Sequence, residues 1–237
     1  MFPLYSDREV SRFPVVTVLF IASNLVAFWF QITGPGSIAK SVYLYGLIPA
    51  DLLSNSDMNI VGRVPATLSV VTSVFTHGGF LHLGANMLYL WVFGRNVEDF
   101  LGPVRFFVFY LAAGIISALA FAFAFPAGKI PLVGASGAVA GVLGVYFLRY
   151  PLSRIHCLFI FIIFVRIIRI PAFIMLGFWF AMQIGASMIS AAATVAGASQ
   201  SGVAWIAHVA GFVVGLVWAI WEMRRQYYER KIGRAHV

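Results

Sequence analysis

Long apolar runs, separated by short segments that contain proline, glycine or charged residues, constrain the fold of this chain more than any other sequence feature. The hydrocarbon core of a bilayer is about 30 Å thick, so a helix needs roughly 20 apolar residues to cross it. Runs suited to such a crossing lie near Val15–Thr33, Gly79–Gly94, Phe106–Phe125, Gly134–Tyr150, Pro171–Ala193 and Val203–Trp221. The sequence therefore predicts an all-α membrane protein, a bundle of six transmembrane helices.

The overall composition supports a membrane protein with one domain. Of the 237 residues, 61% are apolar and 10% are charged, and the mean hydropathy is +0.93, which is outside the range of water-soluble domains. We expect a cytoplasmic tail over residues 1–14, the six-helix domain over 15–222 and a basic cytoplasmic tail over 223–230. Residues 231–237 look like translated sequencing-adapter sequence and carry no prediction. The first run lacks a small-residue cleavage site, which favours a retained anchor over a removed signal peptide.

Two segments between the runs have their own predicted character. The first loop, residues 34–78, is long and includes the apolar stretch Val64–Phe75, so we expect it to be membrane-associated and to lie in the interface. The stretch Ile155–Ile170 is also apolar, but two arginines interrupt it and Pro171 follows. Too few uncharged residues remain for a crossing, and we interpret this stretch as a connector.

Basic residues are distributed unequally between the two sides of the six-helix arrangement. Cytoplasmic loops of membrane proteins carry an excess of Lys and Arg. On the side of the termini lie Arg8, Arg12, Arg95, Arg105, Arg149, Arg154, Arg166, Arg169, Arg224, Arg225 and Arg230, and on the other side Lys40, Arg63 and Lys129. Both termini are therefore predicted to be cytoplasmic, in a bacterial or archaeal cytoplasmic membrane. The net charge of +8 is spread over these loops, so we predict no nucleic-acid partner.

Polar residues occur at one common depth in three of the predicted crossings. Crossings two, four and six run inward from the outer face, and their first halves contain His82 with Asn86, Ser136, and His208, respectively. At 1.5 Å per residue, Ser136 and His208 lie on the order of 5–10 Å below the outer surface. An ionisable side chain in hydrocarbon costs several kcal/mol unless it is paired or wetted, so membrane histidines at one level indicate a functional site.

Ser136 and His208 each lie on a helix face of small residues. The glycines of these faces are Gly137, Gly141 and Gly144 in crossing four and Gly211 and Gly215 in crossing six. Small residues allow two helix backbones to approach closely, which would bring a nucleophile to a base. The alternative is that the glycines serve packing alone, while the serine bonds its own helix and the histidine a neighbouring one.

Peptide-bond hydrolysis by a serine would need a base and donors for the oxyanion. His82 and Asn86 are one helical turn apart, so their N–H groups can point together, although contacts between helices would explain them too. His77 is interpreted as a structural hydrogen-bonder that holds the first loop. No acidic residue lies within the predicted crossings near His208, so we predict a Ser-His dyad in which packing and Ser136 alone orient the imidazole.

Three histidines also raise the alternative of a zinc site at His77, His82 and His208. The His-Glu-x-x-His motif of zinc proteases is absent, and no carboxylate is available as a base. We therefore predict no metal and no cofactor.

Several motifs together resemble the rhomboid family of intramembrane serine proteases, over about Val15–Trp221. They are Asn24, Gly46-Leu47-Ile48-Pro49, the segment Thr72–Met87, Phe93-Gly94 with Glu98, Gly134-Ala135-Ser136-Gly137, and Ala207-His208 with Gly211 and Gly215. Two positions depart from the family pattern. Ala140 stands where many members have an aromatic residue beneath the catalytic histidine, and the first loop has only Arg63 where many have a Trp-Arg pair.

The resemblance implies a nucleophile at Ser136, a base at His208 and an oxyanion hole lined by His82 and Asn86, and its motifs make His77, Gly134, Gly137 and Gly211 supporting residues. It implies transmembrane protein substrates that unwind into a water-filled cavity within the bilayer, and it makes the fifth crossing similar to the helix that flanks substrate access.

The rival hypothesis is an inactive rhomboid-like protein that binds membrane clients for quality control or trafficking. A transporter or channel would ordinarily have charged or repeated polar positions at the midplane. The sequence does not indicate an oligomeric state.

Overall fold

The computed structural model describes residues 2–54, 60–161, 164–195 and 204–235. Within these ranges the chain forms ten α-helices, one π-helical turn and three β-strands. In chain order they are β1 Phe2–Ser6, α1 Val15–Thr33, α2 Ile38–Tyr45, α3 Pro49–Ser54, α4 Ala66–Phe75, α5 Phe80–Tyr89, the π-helical turn Leu90–Gly94, α6 Arg95–Leu101, α7 Pro103–Ala124, α8 Ser136–Arg149, β2 Arg154–Phe161, β3 Phe164–Pro171, α9 Ala172–Val195 and α10 Trp205–Ala235.

A helix lies at each of the six predicted crossings, and the second of them continues from α5 through the π-helical turn into α6. The predicted start of the sixth, Val203, lies outside the described residues. Among those described, three helices are long and apolar enough to cross a bilayer, namely Val15–Thr33, Pro103–Ala124 and Trp205–Ile232. The chain is therefore a mostly helical membrane protein, and the number of six crossings stays a prediction.

Large apolar side chains cover much of the outside of the helices. Trp29 and Phe30 of α1, Leu81 of α5 and Phe123 of α7 are all more than half exposed. Such surfaces are unfavourable in water, whereas lipid tails solvate them. The outward apolar faces agree with the membrane environment predicted from composition.

The prediction of an all-α protein is wrong in one region. The stretch Ile155–Ile170, expected to be a connector, contributes β2 and β3, and residues 2–6 of the predicted N-terminal tail add β1 as a third antiparallel strand. Ser6 pairs with Ile155, which in turn pairs with Ile170. β-Branched and aromatic residues favour strands, and pairing satisfies the backbone groups of an apolar segment too charged to cross the membrane.

The centre of the bundle is the contact between α8 and α10. A Cβ atom added to Gly215 would lie 2.0 Å from the carbonyl oxygen of Gly141, and one added to Gly144 would lie 2.2 Å from that of Phe212. The two backbones therefore touch with no room for side chains between them. This confirms that the small-residue faces predicted in the fourth and sixth crossings pack against each other.

The variant Gly215→Ala should separate α8 from α10, because its methyl group would collide with rigid backbone. Overpacking of this kind costs about 1–3 kcal/mol of stability, and a displacement of about 1 Å between catalytic groups costs on the order of 10²-fold in rate. We expect a lower unfolding temperature in detergent and a lower rate for the activity proposed below. The matched control is Gly185→Ala in α9, where an added Cβ meets no atom within 4 Å. Equal effects of the two substitutions would contradict the close contact.

Arg63 organises the first loop without the tryptophan that many rhomboids have beside it. Its Nε donates to Asp51 Oδ2 at 2.7 Å, and its other nitrogens donate to the carbonyl oxygens of Tyr43 and Gly46. Leu47, which follows Gly46, forms a bridge of two backbone hydrogen bonds with Leu132, four residues before the start of α8. The loop is thereby tied to the segment that leads to Ser136.

Candidate active site

Ser136 and His208 meet at the ends of the two packed helices. Ser136 is the first residue of α8, and His208 lies in the first turn of α10. The Oγ atom of Ser136 and the Nε2 atom of His208 are 2.8 Å apart, within hydrogen-bond distance. The glycine contacts between α8 and α10 make this approach possible, since a larger residue at either face would push the helices apart.

His82 and Asn86 of α5 face the backbone two residues before Ser136. A Cβ atom added to Gly134 would lie 2.6 Å from His82 Nε2 and 3.5 Å from Asn86 Nδ2. Asn86 is buried, and within the described residues its Nδ2 has no hydrogen-bond partner. A buried donor of this kind suits an acceptor supplied from outside the chain. The role of His82 and Asn86 as oxyanion donors remains a prediction.

The three glycines predicted to support the site have two distinct uses. Gly134 has a φ of +114°, a conformation that favours glycine, and its N–H donates to the carbonyl oxygen of Ser73 at 2.8 Å. Gly137 and Gly211 permit close packing, since a Cβ on Gly211 would lie 2.1 Å from the Gly137 carbonyl oxygen. The hydroxyl of Ser117 on α7 lies against the same contact, at 2.7 Å from that Cβ position.

His77 holds the first loop through its backbone. Its N–H donates to Gln31 Oε1 at 3.0 Å, and its carbonyl oxygen accepts from Gln31 Nε2 at 3.1 Å. The His77 ring instead packs on the ring of His82, with centroids 5.2 Å apart, and neither of its nitrogens has a hydrogen-bond partner among the described residues. Burial, helped by the neighbouring His82, lowers the pKa of His77 to about 4, so the ring is neutral at pH 7. The sequence indicated no role for Gln31.

His208 has a second polar contact that was not predicted from the sequence. Its Nδ1 atom lies 2.9 Å from Oε1 of Gln183 on α9, and the ring of Trp179, one helical turn earlier, lies 5.9 Å from the imidazole centroid. The expectation that packing and Ser136 alone orient His208 is therefore wrong. These contacts come from α9, whereas Ala140 of α8 has no aromatic ring to offer the histidine. A lone glutamine in an apolar run is the signal that could have identified Gln183.

The zinc alternative gains no support from the side-chain arrangement. Across the described part of the chain, no three His, Cys, Asp or Glu residues converge on a point where they could hold a metal ion. The polar groups that do converge are a hydroxyl, an imidazole and neutral donors, which suit covalent acyl chemistry better than metal ligation.

Comparison with known proteins identifies the family of this chain. Residues 65–225 match the Rhomboid domain family. The chain is 40% identical over 103 residues to Rhomboid protein 1, mitochondrial, of Saccharomyces cerevisiae, covering 41% of this chain and 29% of that protein. It is 33% identical over 132 residues to Rhomboid protease GluP of Bacillus subtilis, covering 55% and 24% of the two chains.

A third relative is the human Presenilin-associated rhomboid-like protein, mitochondrial, at 31% identity over 140 residues, covering 55% of this chain and 36% of that protein. The alignments thus span between 24% and 36% of the length of these curated relatives. Two of the three are mitochondrial by name, so they do not favour a bacterial membrane over a mitochondrial one. Because the family match covers more than half of the chain and includes the region of the site, the protein belongs to the rhomboid family.

Proposed function

We propose that this protein is an intramembrane serine endopeptidase that cleaves transmembrane segments of other proteins. The observation that carries the proposal is the 2.8 Å contact between Ser136 Oγ and His208 Nε2, formed between helices of a membrane protein. A hydroxyl next to an unprotonated imidazole nitrogen becomes a nucleophile when the ring takes its proton. Family membership and similarity to a protein named as a rhomboid protease support the same activity.

The proposed reaction follows from the positions of four side chains. Ser136 Oγ attacks the carbonyl carbon of the peptide bond while His208 Nε2 accepts the hydroxyl proton. His82, Asn86 and the Ser136 backbone N–H then stabilise the negative charge that develops on the carbonyl oxygen. His208 returns the proton to the leaving amine, and water, activated by the same imidazole, hydrolyses the acyl-enzyme. Apart from the substrate and this water, the proposed steps use only side chains and backbone groups of this chain.

The proposed membrane orientation has six crossings and both termini on the cytoplasmic side. α8 begins at Ser136 and ends at Arg149, about 20 Å away along the helix at 1.5 Å per residue. Arg154 and the arginines of β3 follow that end of α8 in the chain. The preference of basic residues for the cytoplasmic side supports this orientation. The site would then be near the outer surface, where water can reach it.

The test is reconstitution of the protein in liposomes with a single-span reporter protein. We expect two reporter fragments with a cut within or at the edge of the span, and covalent labelling of Ser136 by a fluorophosphonate probe. A reporter that binds to the protein but remains uncut, together with an unlabelled Ser136, would favour the client-binding alternative and overturn the protease.

The rate of reporter cleavage should fall in acid. A protonated His208 cannot accept the Ser136 proton, so the rate should decrease about tenfold for each pH unit below the titration of this base. The measurement is the initial cleavage rate across a pH series in liposomes, with circular dichroism recorded in parallel to confirm that the protein stays folded. A folded enzyme whose rate shows no acid limb would contradict His208 as the base.

A further inference from the structure

We propose that Gln183 is a positioning residue, whose side-chain carbonyl oxygen holds His208 in the tautomer that can accept the proton of Ser136. The inference rests on the proposed function. It is carried by one line of contacts, in which Gln183 Oε1 lies 2.9 Å from Nδ1 and Ser136 Oγ lies 2.8 Å from Nε2 of the same ring.

The chemistry of the two contacts determines where the ring proton lies. A neutral imidazole has one N–H donor and one bare nitrogen, and a carbonyl oxygen can only accept a hydrogen bond. The proton must therefore be on Nδ1, where it is donated to Gln183. Nε2 is then left with its lone pair directed at Ser136, which is the state that a general base needs before attack.

The surroundings of Gln183 stabilise its hydrogen bond with His208. Gln183 is 4% exposed, and an amide buried among apolar groups is costly unless it is hydrogen-bonded. Trp179, one turn earlier on α9, packs on the imidazole and restricts its rotation. Trp205 also meets this ring edge-on, with the ring centroids 6.1 Å apart. The ring is thus held by its two nitrogens and by aromatic contacts.

A neutral amide in this place differs from the carboxylate of a Ser-His-Asp triad. A carboxylate orients the imidazole and also stabilises its protonated form, whereas an amide orients it with little electrostatic stabilisation. An amide also avoids the cost of a buried charge in the membrane. Gln183 would therefore supply the orienting part of the triad without its charge.

Two substitutions at Gln183 separate positioning from packing. Gln183→Met keeps the length of the side chain but removes the acceptor, and we expect kcat to fall about ten- to hundredfold with little change in KM. Gln183→Glu keeps an acceptor and adds a charge that stabilises protonated His208. It should recover most of the rate at high pH and move the acid limb of the pH–rate profile to higher pH.

The control is Gln226→Met, the same exchange on α10. Gln226 bonds to Phe100 and Glu222 and lies 18 residues beyond His208, about 27 Å along the helix, so its kcat and pH profile should match the parent. If Gln183→Met also matches the parent while the parent cleaves its reporter, the positioning role is wrong and the protease stands.

A second readout needs no substrate and so decides the inference even if the protein proves not to be a protease. In protein labelled with ¹⁵N-histidine, the NMR signals of His208, identified by their loss in His208→Ala, should indicate a proton on Nδ1. Gln183→Met should convert them to a mixture of tautomers, whereas Gln226→Met should leave them unchanged. A parent His208 protonated on Nε2, or spectra unaffected by Gln183→Met, would overturn the proposal.

Discussion

Replacing either Ser136 or His208 with alanine should abolish reporter cleavage, with a fall in kcat of at least about 10⁴-fold. Ser136→Ala removes the atom that attacks the peptide carbonyl, and His208→Ala removes the acceptor for its proton at 2.8 Å. When two residues act as one unit, removal of either one abolishes nearly all of the rate enhancement that they supply together. The double variant should therefore be no slower than the slower single variant. The measurement is single-turnover cleavage in liposomes at equal amounts of folded protein.

The matched control for the serine is Ser117→Ala. Its hydroxyl is also buried in the bundle, and it donates to the carbonyl oxygen of Ala113 in its own helix at 2.6 Å. Ser117→Ala should therefore keep most of the cleavage rate. Cleavage that persists in both Ser136→Ala and His208→Ala would show that the assigned nucleophile and base are wrong, whatever enzyme is responsible.

Asn86→Ala should lower kcat by about 10²–10³-fold while leaving KM nearly unchanged. The Nδ2 donor of Asn86 is buried beside Gly134 and bonds no other group in the described part of the chain, so its partner in the proposed reaction is the oxyanion. That charge exists only in the transition state, and loss of one such donor typically costs this much in kcat. The steady-state rate over a range of reporter densities in the membrane separates the two constants.

A buried asparagine elsewhere in the bundle provides the comparison. Asn24 of α1 is also buried, but its Nδ2 donates to the carbonyl oxygen of Phe20 in its own helix at 2.7 Å. Asn24→Ala should therefore affect stability more than turnover. If Asn86→Ala raises KM and leaves kcat intact, Asn86 contributes to substrate binding and not to charge stabilisation.

Much of the fold was predictable because membrane helices are specified locally. A segment in lipid must satisfy its own backbone hydrogen bonds, so about 20 apolar residues in succession predict a helix without reference to the rest of the chain. A described helix lies at each of the six predicted runs, and three of these helices are long and apolar enough to cross a bilayer. The contact between α8 and α10 was predictable too, because glycine recurs on one face of each run and leaves those faces free to approach.

The remainder depended on pairings between distant segments. β1, at residues 2–6, pairs with β2 some 150 residues later, and no local pattern selects that partner. Gln183 is a single amide in an apolar run, and its contact with His208, 25 residues away, depends on how α9 packs on α10. The same holds for Gln31, whose partner is the backbone of His77. Because Gln31 bonds the backbone of His77, the side-chain pattern around His77 gives no sign of this contact.

The sequence by itself determined that this chain is a helical membrane protein and which helix faces approach each other. It also identified the candidate residues for its chemistry. Hydrophobicity, helical spacing and residue size are properties of single segments, and so they can be evaluated without the fold. Only the tertiary structure decided how the imidazole is oriented and how the first loop and the N-terminal strand are attached. Those contacts depend on the relative placement of separate helices to within a few tenths of an ångström, which packing of the whole bundle sets.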